Sequence, residues 1–457
     1  MLCRNEDTIA SVSSGQGQAA IAVIRISGKK SGQILSKIFT INKPKKQPRT
    51  IFVGWVMDPA TGQKIDQAMA VLFKAPHTFT GEDLVEIYCH GGILIIRKTI
   101  EIILKNGARL ADRGEFSKRA FLNGKIDLVQ AEAVIEAVKA NTSFGLLSAM
   151  NRIEGKLSKE ILGIKTILEQ ALMEIEVSTD FPEDIDEPDK NRLIRNLQKA
   201  ETLCMDLVRN SNAGKLLADG IRVLILGKPN TGKSSLLNAI LKEERSIVTE
   251  IPGTTTDTIE SMLNIDGLPF LLIDTAGIRE PKNSIEREGV GRAINRIGST
   301  DIVLAVFDSS ENFSEEDNRV IKEVEKVTNK IAVLNKSDKC QILRRKDIPA
   351  TFKQTINVSA LNGKGIKNLE KAILDIARGE SDPNAEPYFL GNERQISLVE
   401  NAAASVHSAV MAIKKKIPID LVAIDIREAL SSITELSGES ISESIINSIF
   451  EEFCIGK

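Results

Sequence analysis

Short apolar runs punctuated by glycine dominate the start of the chain, and they predict strands. The runs are TIASVSS, AAIAVIRIS, IFVGWVM and QAMAVLFKA. The segment FTGEDLVEIYCHGG follows them, and the apolar run ILIIRKTIEIILKNG after it predicts a helix. Strands mixed with a helix in this way favour an α+β domain, which we expect over residues 1–118.

Helical spacing takes over from Phe116 onward. Five apolar residues recur every three or four positions and predict one stripe along a helix, namely Ile161, Ile164, Leu168, Leu172 and Ile175. The helix should stop at the acidic, proline-interrupted segment DFPEDIDEPD, for which a solvated connection is favoured over a metal site. A second helical run leads to Gly214 and Gly220, which we expect to mark the entry to another domain.

Strand-like and helical runs alternate between about residues 221 and 380. The strand-like runs are RVLILG, MLNID, FLLIDTAG, DIVLAVFD, KIAVLN and TINVSA, and their alternation with helices predicts a mostly parallel, doubly wound sheet. After the linker ESDPNAEPYF the chain is helical again, with IDLVAIDIREALSSITEL and ESISESIINSIFEEF as the clearest amphipathic runs. We therefore expect a discontinuous helical domain, residues 119–217 and 381–457, with an α/β domain inserted at 218–380.

Composition limits the class of protein. With 457 residues and 42% hydrophobic content the chain can supply about three domains with cores. A net charge of −2 excludes a uniformly basic nucleic-acid-binding surface, and the basic loop KPKKQPR stays open between a solvated surface and an RNA contact. We predict a soluble, cytoplasmic protein, because no signal peptide opens the sequence and no run reaches the ~18 apolar residues of a membrane span.

Cysteine and histidine give little sign of metal or disulfide chemistry. The five cysteines lie far apart without a Cys-x-x-Cys pair, so neither a disulfide framework nor a zinc knuckle is indicated. His90, one of three histidines, follows Cys89 but has no second ligand at helical spacing. A structural role for His90 is therefore favoured over metal binding.

The strongest chemical signal is the segment RVLILGKPNTGKSS. Gly227, Gly232, Lys233 and Ser234 have phosphate-loop spacing between an apolar strand and an apolar helix. Glycine lets the backbone N–H groups approach a polyphosphate, Lys233 reaches the terminal phosphates, and the Ser234 hydroxyl binds Mg²⁺. The segment therefore predicts a nucleoside triphosphate site.

Further clusters follow at the predicted strand ends. Thr255 lies in a loop that can close over the γ-phosphate and bind Mg²⁺, Asp274 can hold Mg²⁺ through water, and the Gly277 N–H can face the γ-phosphate. Asp338 can accept two hydrogen bonds from guanine that adenine does not offer, which favours GTP and its product GDP as ligands. The residues expected to bind GTP are Asn230, Thr231, Gly232, Lys233, Ser234, Ser235, Thr249, Thr254, Thr255, Asp274, Thr275, Ala276, Gly277, Asn335, Lys336, Asp338, Ser359 and Ala360.

Two details narrow the class of GTPase. Ile278 stands where Ras-like enzymes carry a water-orienting glutamine, so another residue must orient the water. Glu286 resembles the position at which one GTPase family uses a glutamate for catalysis, although a surface ion pair is the alternative. Asn230 and the loop before Thr254 resemble those of potassium-activated GTPases, in which K⁺ takes the place of an arginine finger.

Essentially the whole chain resembles the MnmE (TrmE) family of tRNA modification GTPases, potassium-activated relatives of Era. The matching stretches are DTIASVSS with RISG, FTGEDLVEIYCHGG, GEFSKRAFLNGKIDLVQAEAV, DFPEDID, the five GTPase motifs and the terminal FCIGK. The resemblance implies a homodimer, formed through tetrahydrofolate-binding N-terminal domains. It also implies a FAD-dependent partner, MnmG (GidA), in a heterotetramer or larger complex. Together they would place an aminomethyl or carboxymethylaminomethyl group at C5 of the wobble uridine of certain tRNAs, with a 5-formyl or 5,10-methylene tetrahydrofolate as one-carbon donor.

The resemblance also assigns ligands residue by residue. The implied folate contacts are Arg25, Glu82, Lys125 and Lys457. The implied K⁺ ligands are Asn230, Thr249, Ile251 and Thr254. Cys454 in FCIGK is either a small buried apolar group or a nucleophilic, catalytic thiol for the uridine chemistry.

Three positions depart from the family pattern, namely Arg113, Thr256 and the shortened DFPEDID, and none removes a ligand named above. Thr256 leaves open how the switch loop contacts the partner G domain or the phosphates.

An Era-like GTPase acting in ribosome assembly is the alternative function, since such a protein shares the Pro-Asn phosphate loop and the Asn-Lys-x-Asp element. Such a factor should carry a basic RNA-binding domain such as KH, whereas this C-terminus is helical. A pure one-carbon enzyme would leave the GTPase motifs without a role.

Overall fold

A computed structural model describes residues 7–15, 17–41, 48–140, 142–181, 183, 187–243, 260–265, 268–274, 300–325, 327–380, 389–453 and 456. The chain forms two compact units. The first comprises residues 1–139, 149–208 and 390–457, and the second comprises residues 140–148 and 209–389.

Strands and helices are both abundant in the described residues. The strands are β1 Ile9–Val12, β2 Ala19–Ser27, β3 Phe39–Ile41, β4 Ile51–Met57, β5 Lys64–Phe73, β6 Leu84–Gly91, β7 Arg109–Leu110, β8 Ile221–Leu226, β9 Glu260–Ile265, β10 Leu268–Asp274, β11 Ile302–Asp308, β12 Lys330–Asn335 and β13 Gln354–Asn357. The helices are α1 Ser31–Ile38, α2 Ile93–Lys105, α3 Glu115–Leu122, α4 Leu128–Lys139, α5 Ser143–Ile153, α6 Lys156–Asp180, α7 Lys190–Asp219, α8 Lys233–Glu243, α9 Glu315–Val324, α10 Ile366–Glu380, α11 Glu393–Lys414, α12 Ile419–Ser437 and α13 Glu443–Glu451.

The first unit contains a seven-stranded sheet in the order β3-β4-β5-β6-β2-β1-β7. Neighbouring strands are antiparallel except for the parallel pair β1 and β7. Each strand predicted in the first 118 residues is present, and so is the helix after them, which confirms the α+β character.

The two faces of this sheet differ because side chains alternate along each strand. On β2, Ala22, Ile24 and Ile26 lie in the buried core that also contains residues of α1 and α2. The intervening residue Arg25 lies on the opposite face and is paired in register with Glu86 of β6. That opposite face therefore carries charged groups on adjacent strands.

The helical part of the first unit is built from segments far apart in sequence. Residues of α12 pack against α6 and α11, and Arg427 of α12 donates to Glu176 of α6 at 2.7 Å. This confirms that the helices before and after the inserted α/β segment pack together. The predicted stripe on α6 is buried at Ile161, Ile164, Leu168 and Ile175, whereas Leu172 is partly exposed.

Helix α11 is the one described helix that is long and apolar enough to cross a membrane by length and composition. Half of that stretch is buried within the protein, and a core helix passes the same test.

Gly214 and Gly220 were predicted to mark the entry to another domain, and the structure places Gly214 inside a helix. Helix α7 continues through it to Asp219, and Gly220, with φ +88°, follows the end of the helix. A Cβ atom at position 214 would lie 2.3 Å from the ring of Phe389. The glycine therefore serves close packing in the helix interior, where it normally costs about 1 kcal/mol relative to alanine.

The second unit contains a six-stranded sheet in the order β13-β12-β11-β8-β10-β9. All neighbours are parallel except β9 and β10, which confirms the predicted mostly parallel sheet. One face packs against α8 and α10 and the other against α9. Because both faces are covered, the strands are continuous apolar runs rather than alternating ones.

Candidate functional site

The carboxyl ends of the central strands of the second unit lie at one edge of the sheet. Asp274 at the end of β10 is in register with Ile225 of β8, two residues before Gly227. Asp308 at the end of β11 is in register with Asn335 at the end of β12. This is the edge at which an open parallel sheet binds its ligand.

The phosphate loop, residues 227–232, takes up backbone conformations that favour glycine. Gly232 has φ +89° and Asn230 has φ +62°. A Cβ atom at Gly232 would lie 2.4 Å from Nδ2 of Asn335, and one at Gly227 would lie 2.5 Å from the carbonyl oxygen of Val306. Both glycines are therefore needed for the loop to pack against the strands beside it.

Lys233 begins helix α8, and its ammonium folds back over the loop. Its Nζ donates to the carbonyl oxygens of Gly227 and Lys228, each at 2.9 Å. Ser234 and Ser235 follow in the first turn and are exposed. The unpaired N–H groups of a helix start, an ammonium and a hydroxyl together suit a polyphosphate with its Mg²⁺.

Asn335 connects the phosphate loop to the loop after β13. Its Nδ2 donates to the carbonyl oxygen of Thr231 at 2.8 Å, and its Oδ1 accepts from the N–H of Ala360 at 3.1 Å. Asn335 and Thr231 are both buried, and the Thr231 hydroxyl donates to the carbonyl of Lys228 at 3.0 Å. The side chains of both residues thus hold loops together.

Asp338 is exposed beside these loops and accepts a hydrogen bond from the Ser359 hydroxyl at 2.6 Å. That bond holds the pKa of Asp338 below its usual value. The carboxylate is therefore ionised near neutral pH, and it keeps lone pairs for the two N–H donors of a guanine.

Lys336 has φ +62°, in the left-handed region. Its Nζ lies 2.5 Å from Oδ2 of the buried Asp308. Burial would raise the pKa of Asp308, but hydrogen bonds from Lys336 and Ser310 outweigh burial and lower it. Asp308 is consequently a buried carboxylate that stays charged, and no sequence motif marks it as part of the site.

Several predicted residues lie outside the described part of the chain. They are Thr249, Ile251, Thr254, Thr255, Thr256, Thr275, Ala276, Gly277, Ile278, Glu286, Cys454 and Lys457. The same holds for residues 43–47 of the basic loop and for residues 182 and 184–186 of DFPEDID. Asp274 is described through its backbone alone.

The first unit has a second candidate site, a cavity of about 280 Å³. Its lining comprises Arg25, Phe73, His77, Thr78, Phe79, Leu84 and Glu86. Arg25 donates from Nε and Nη2 to Oε1 of Glu86 at 3.0 and 2.7 Å, and its guanidinium lies 5.5 Å from the centre of the Phe79 ring. A charged pair beside an aromatic ring suits a flat, polar ligand.

Tyr88 belongs to the same polar face, since its hydroxyl donates to Oε2 of Glu86 at 2.7 Å. Burial and the neighbouring Glu86 carboxylate raise the pKa of Tyr88 to about 12. Neither Glu86 nor Tyr88 was predicted, although Glu86 and Tyr88 alternate with buried Val85, Ile87 and Cys89 along β6. That period of two could have identified them.

Glu82 and Lys125 both form hydrogen bonds with the segment 76–79, most of which lines this cavity. Oε2 of Glu82 accepts from the Ser27 hydroxyl at 2.8 Å and pairs with Nη1 of buried Arg119 at 3.2 Å. The backbone carbonyl of Glu82 accepts from Thr78, a lining residue, at 2.7 Å. Lys125 donates to the carbonyl of Pro76 at 3.0 Å.

Gly456, near the end of the chain, contacts residues at the end of β1. The carbonyl of Gly456 accepts from the Ser13 hydroxyl at 2.9 Å, and a Cβ atom at Gly456 would lie 2.0 Å from the carbonyl oxygen of Val12. Ser11 is in register with Arg25, and Ser13 follows two residues later on the same face. Gly456 therefore lies at the face of the sheet that carries Arg25.

The structural role favoured for His90 is supported by its contacts. Its Nδ1 lies 2.7 Å from Oδ1 of buried Asp66, and its backbone N–H donates to the other oxygen at 2.8 Å. Cys89 is buried, which raises the pKa of its thiol to about 11. Within the described ranges no group of three or more His, Cys, Asp or Glu residues is arranged to hold a metal ion.

Comparison with known proteins gives a consistent picture along the whole chain. Two family models match, the GTP-binding protein TrmE N-terminus over residues 8–125 and the MnmE helical domain over residues 128–454. Curated relatives called tRNA modification GTPase MnmE include those of Alkaliphilus metalliredigens, 40% identical, and Geobacillus kaustophilus, 39% identical, each covering 99% of both chains. The protein of that name from Bacillus subtilis is 38% identical over 99% of this chain and 100% of its own.

Proposed function

Because this chain belongs to the MnmE family of tRNA modification GTPases, we propose that it hydrolyses GTP in the course of modifying tRNA. The observation that carries the proposal is the joint arrangement of the phosphate loop, Asn335 and Asp338 at one sheet edge. A match that also includes the N-terminal and helical parts favours this function over an Era-like role in ribosome assembly.

In the nucleotide site, the phosphate loop and Lys233 bind the phosphates, and ionised Asp338 selects guanine. The exposed Ser234 hydroxyl fits a Mg²⁺ ligand, and Thr255 and Asp274 would complete the set, with Asp274 acting through water. Mg²⁺ supplies positive charge that neutralises the phosphates. Glu286 is proposed to orient the attacking water.

A K⁺ ion is the second proposed cation. Asn230 is exposed in the phosphate loop, so its side-chain oxygen fits a cation beside the phosphates. Thr249, Ile251 and Thr254 are the other proposed ligands. K⁺ supplies the positive charge that an arginine finger supplies in other GTPases.

The cavity at Arg25 is the proposed site of a tetrahydrofolate derivative, 5-formyl or 5,10-methylene, which supplies a one-carbon unit. Phe79 offers a stacking surface, while Arg25 and Glu86 offer polar groups to a flat ring. Glu82, Lys125 and Lys457 are further proposed contacts. Cys454, two residues before Gly456 in the sequence, is proposed to act as a nucleophile on the uridine.

The proposed product is an aminomethyl or carboxymethylaminomethyl group at C5 of the wobble uridine. We propose that the protein acts in the cytoplasm as a homodimer joined through domain 1–118, with FAD-dependent MnmG as its partner. Domain 218–380 would bind the nucleotide, and domain 1–118 would bind the folate derivative.

The test is nucleotide hydrolysis by the purified full-length chain. GTP should be hydrolysed in preference to ATP, and removal of Mg²⁺ by EDTA should stop the reaction. Lys233→Ala should lower kcat/KM by at least ~10²-fold, because the cation at the phosphates is lost. Lys367→Ala, at an exposed position of α10, is the matched control. Equal hydrolysis of ATP, or full activity in Lys233→Ala, would contradict the proposal.

A further inference from the structure

The segment after β11 contacts both loops of the nucleotide site, although it carries none of the GTPase motifs. Residues 308–317, with sequence DSSENFSEED, are called the acidic brace below. The brace begins at Asp308, the last residue of β11, and ends in the first turn of α9. It contains five carboxylates, at Asp308, Glu311, Glu315, Glu316 and Asp317.

Asp317 of the brace holds Lys228 of the phosphate loop. Nζ of Lys228 lies 3.1 Å from Oδ2 of Asp317 and 3.2 Å from Oε2 of Glu311, and it donates to the Ser314 hydroxyl at 3.4 Å. The Asp317 side chain is only 3% exposed, so its charge needs a cationic partner. The same Asp317 oxygen accepts from the backbone N–H of Ser314 at 2.9 Å, which caps α9.

The backbone of Lys228 transmits this anchoring to the residues that meet the phosphates. Its carbonyl oxygen accepts from Nζ of Lys233 at 2.9 Å and from the hydroxyl of buried Thr231 at 3.0 Å. A shift of residue 228 would therefore move the Lys233 ammonium and the turn of the loop together.

Asp308, at the other end of the brace, holds Lys336 at 2.5 Å. Residues 336–338, which follow β12 and include Asp338, are called the base loop below. Oδ1 of Asp308 is fixed by the N–H and the hydroxyl of Ser310, at 2.9 and 2.7 Å. Lys336 has φ +62°, a conformation that a lysine keeps only where its surroundings enforce it. Asp338 follows two residues later, so its position depends on the same backbone.

We propose that residues 308–317 act as an acidic brace that positions Lys228 and Lys336, and through them the phosphate and base loops, for binding of a guanine nucleotide. This inference rests on the proposed function and extends it by three positioning residues, Lys228, Asp308 and Asp317. The brace holds loops that contact the ground-state ligand. It should therefore set nucleotide affinity and KM, whereas kcat at saturating GTP should change little.

The first experiment measures binding of GTP and GDP to the full chain by isothermal titration calorimetry, together with KM and kcat for GTP. Lys228→Met removes the ammonium and keeps the stem, and we expect roughly tenfold weaker binding of both nucleotides. Lys228→Arg keeps the charge and should bind within about threefold of the wild type. Asp308→Asn should weaken binding in the same direction as Lys228→Met, because it releases Lys336.

Lys228→Met alone leaves a buried carboxylate without its cation, so a second variant guards against loss of folding. Lys228→Met with Asp317→Asn removes both charges, and an asparagine can still accept the Ser314 N–H that caps α9. This double variant should also bind GTP about tenfold more weakly, with kcat within about threefold of the wild type. Lys322→Met, at an exposed position of α9, is the matched control and should behave as wild type.

Wild-type affinity in the double variant would overturn the brace, and so would equal weakening in Lys322→Met. A fall in kcat with unchanged affinity would also overturn it, because that result would place Lys228 in the chemical step. If the wild-type chain hydrolyses GTP and these variants bind GTP with normal affinity, only the acidic brace is refuted. A wild-type chain that binds no guanine nucleotide refutes the proposed function and the brace together.

Discussion

Replacing Asn335 is the sharpest test of how the nucleotide site is built. The side chain is 1% exposed, and it joins the phosphate loop to the loop after β13 through two hydrogen bonds, to Thr231 and from Ala360. Asn335→Ala removes both bonds and leaves a fully buried Thr231 carbonyl without this donor. We expect the two loops to lose their relative position.

The expected magnitude follows from those two bonds. A typical hydrogen bond contributes about 0.5–1.5 kcal/mol net, and a buried group left unpaired costs about 1–3 kcal/mol. The lost Ala360 bond together with the orphaned Thr231 carbonyl gives roughly 2–4 kcal/mol, or about 30- to 900-fold if the whole cost appeared in binding. Part of it falls on stability of the free protein, so we expect GTP binding to weaken by about 10- to 100-fold.

The assay is calorimetric titration of GTP into each variant, with thermal melting as the check on folding. Asn335→Asp keeps an acceptor for the Ala360 N–H but places a carboxylate against the Thr231 carbonyl, so it should be at least as harmful as alanine. Asn357→Ala, at an exposed position of β13, is the matched control and should bind normally. GTP affinity within threefold of the wild type in folded Asn335→Ala would refute the reasoning.

Three further predictions concern residues singled out in the sequence. If Asn230 helps to hold K⁺ beside the phosphates, hydrolysis should be faster in KCl than in NaCl, and equal rates at matched ionic strength would exclude a potassium site. Glu286→Ala should bind GTP normally and hydrolyse it about 10²- to 10⁴-fold more slowly, and near-normal turnover would mean that another residue orients the attacking water. Cys454→Ser should keep GTP hydrolysis, folate binding and melting temperature while losing most tRNA modification, and normal modification at normal stability would rule out a catalytic thiol.

The sequence predicted those parts of the fold that depend on local pattern. The strand before the phosphate loop is continuous and apolar because the parallel sheet is covered on both faces, and observed β8 covers the expected segment at Ile221–Leu226. The end of α6 at Asp180 followed from the proline and the acidic residues that come next. The continuation of α7 through Gly214 could not be predicted from local sequence. The glycine is required there by close contact with the ring of Phe389, which lies 175 positions further along the chain.

The candidate sites were predicted where a motif fixes the spacing and missed where partners come together only in the folded chain. The loop conformation at Gly232 follows from the motif. Lys228 occupies a variable position of that motif, and its partner Asp317 is 89 residues away. Arg25 was implied by family resemblance, and the alternation along β6 marks Glu86 as a polar position. The pairing of the two emerges only from the register of two antiparallel strands. Long-range charge pairs of this kind leave no local signal.

The central claim is that this chain modifies the wobble uridine of tRNA, and the most direct measurement is mass spectrometry of nucleosides from tRNA of a strain that lacks the gene. The account predicts that 5-aminomethyl-type or carboxymethylaminomethyl uridines disappear from that strain and return when the full-length chain is supplied. Supplying Lys233→Ala instead should leave them missing. Wobble uridines that stay fully modified in the deletion strain would contradict the account.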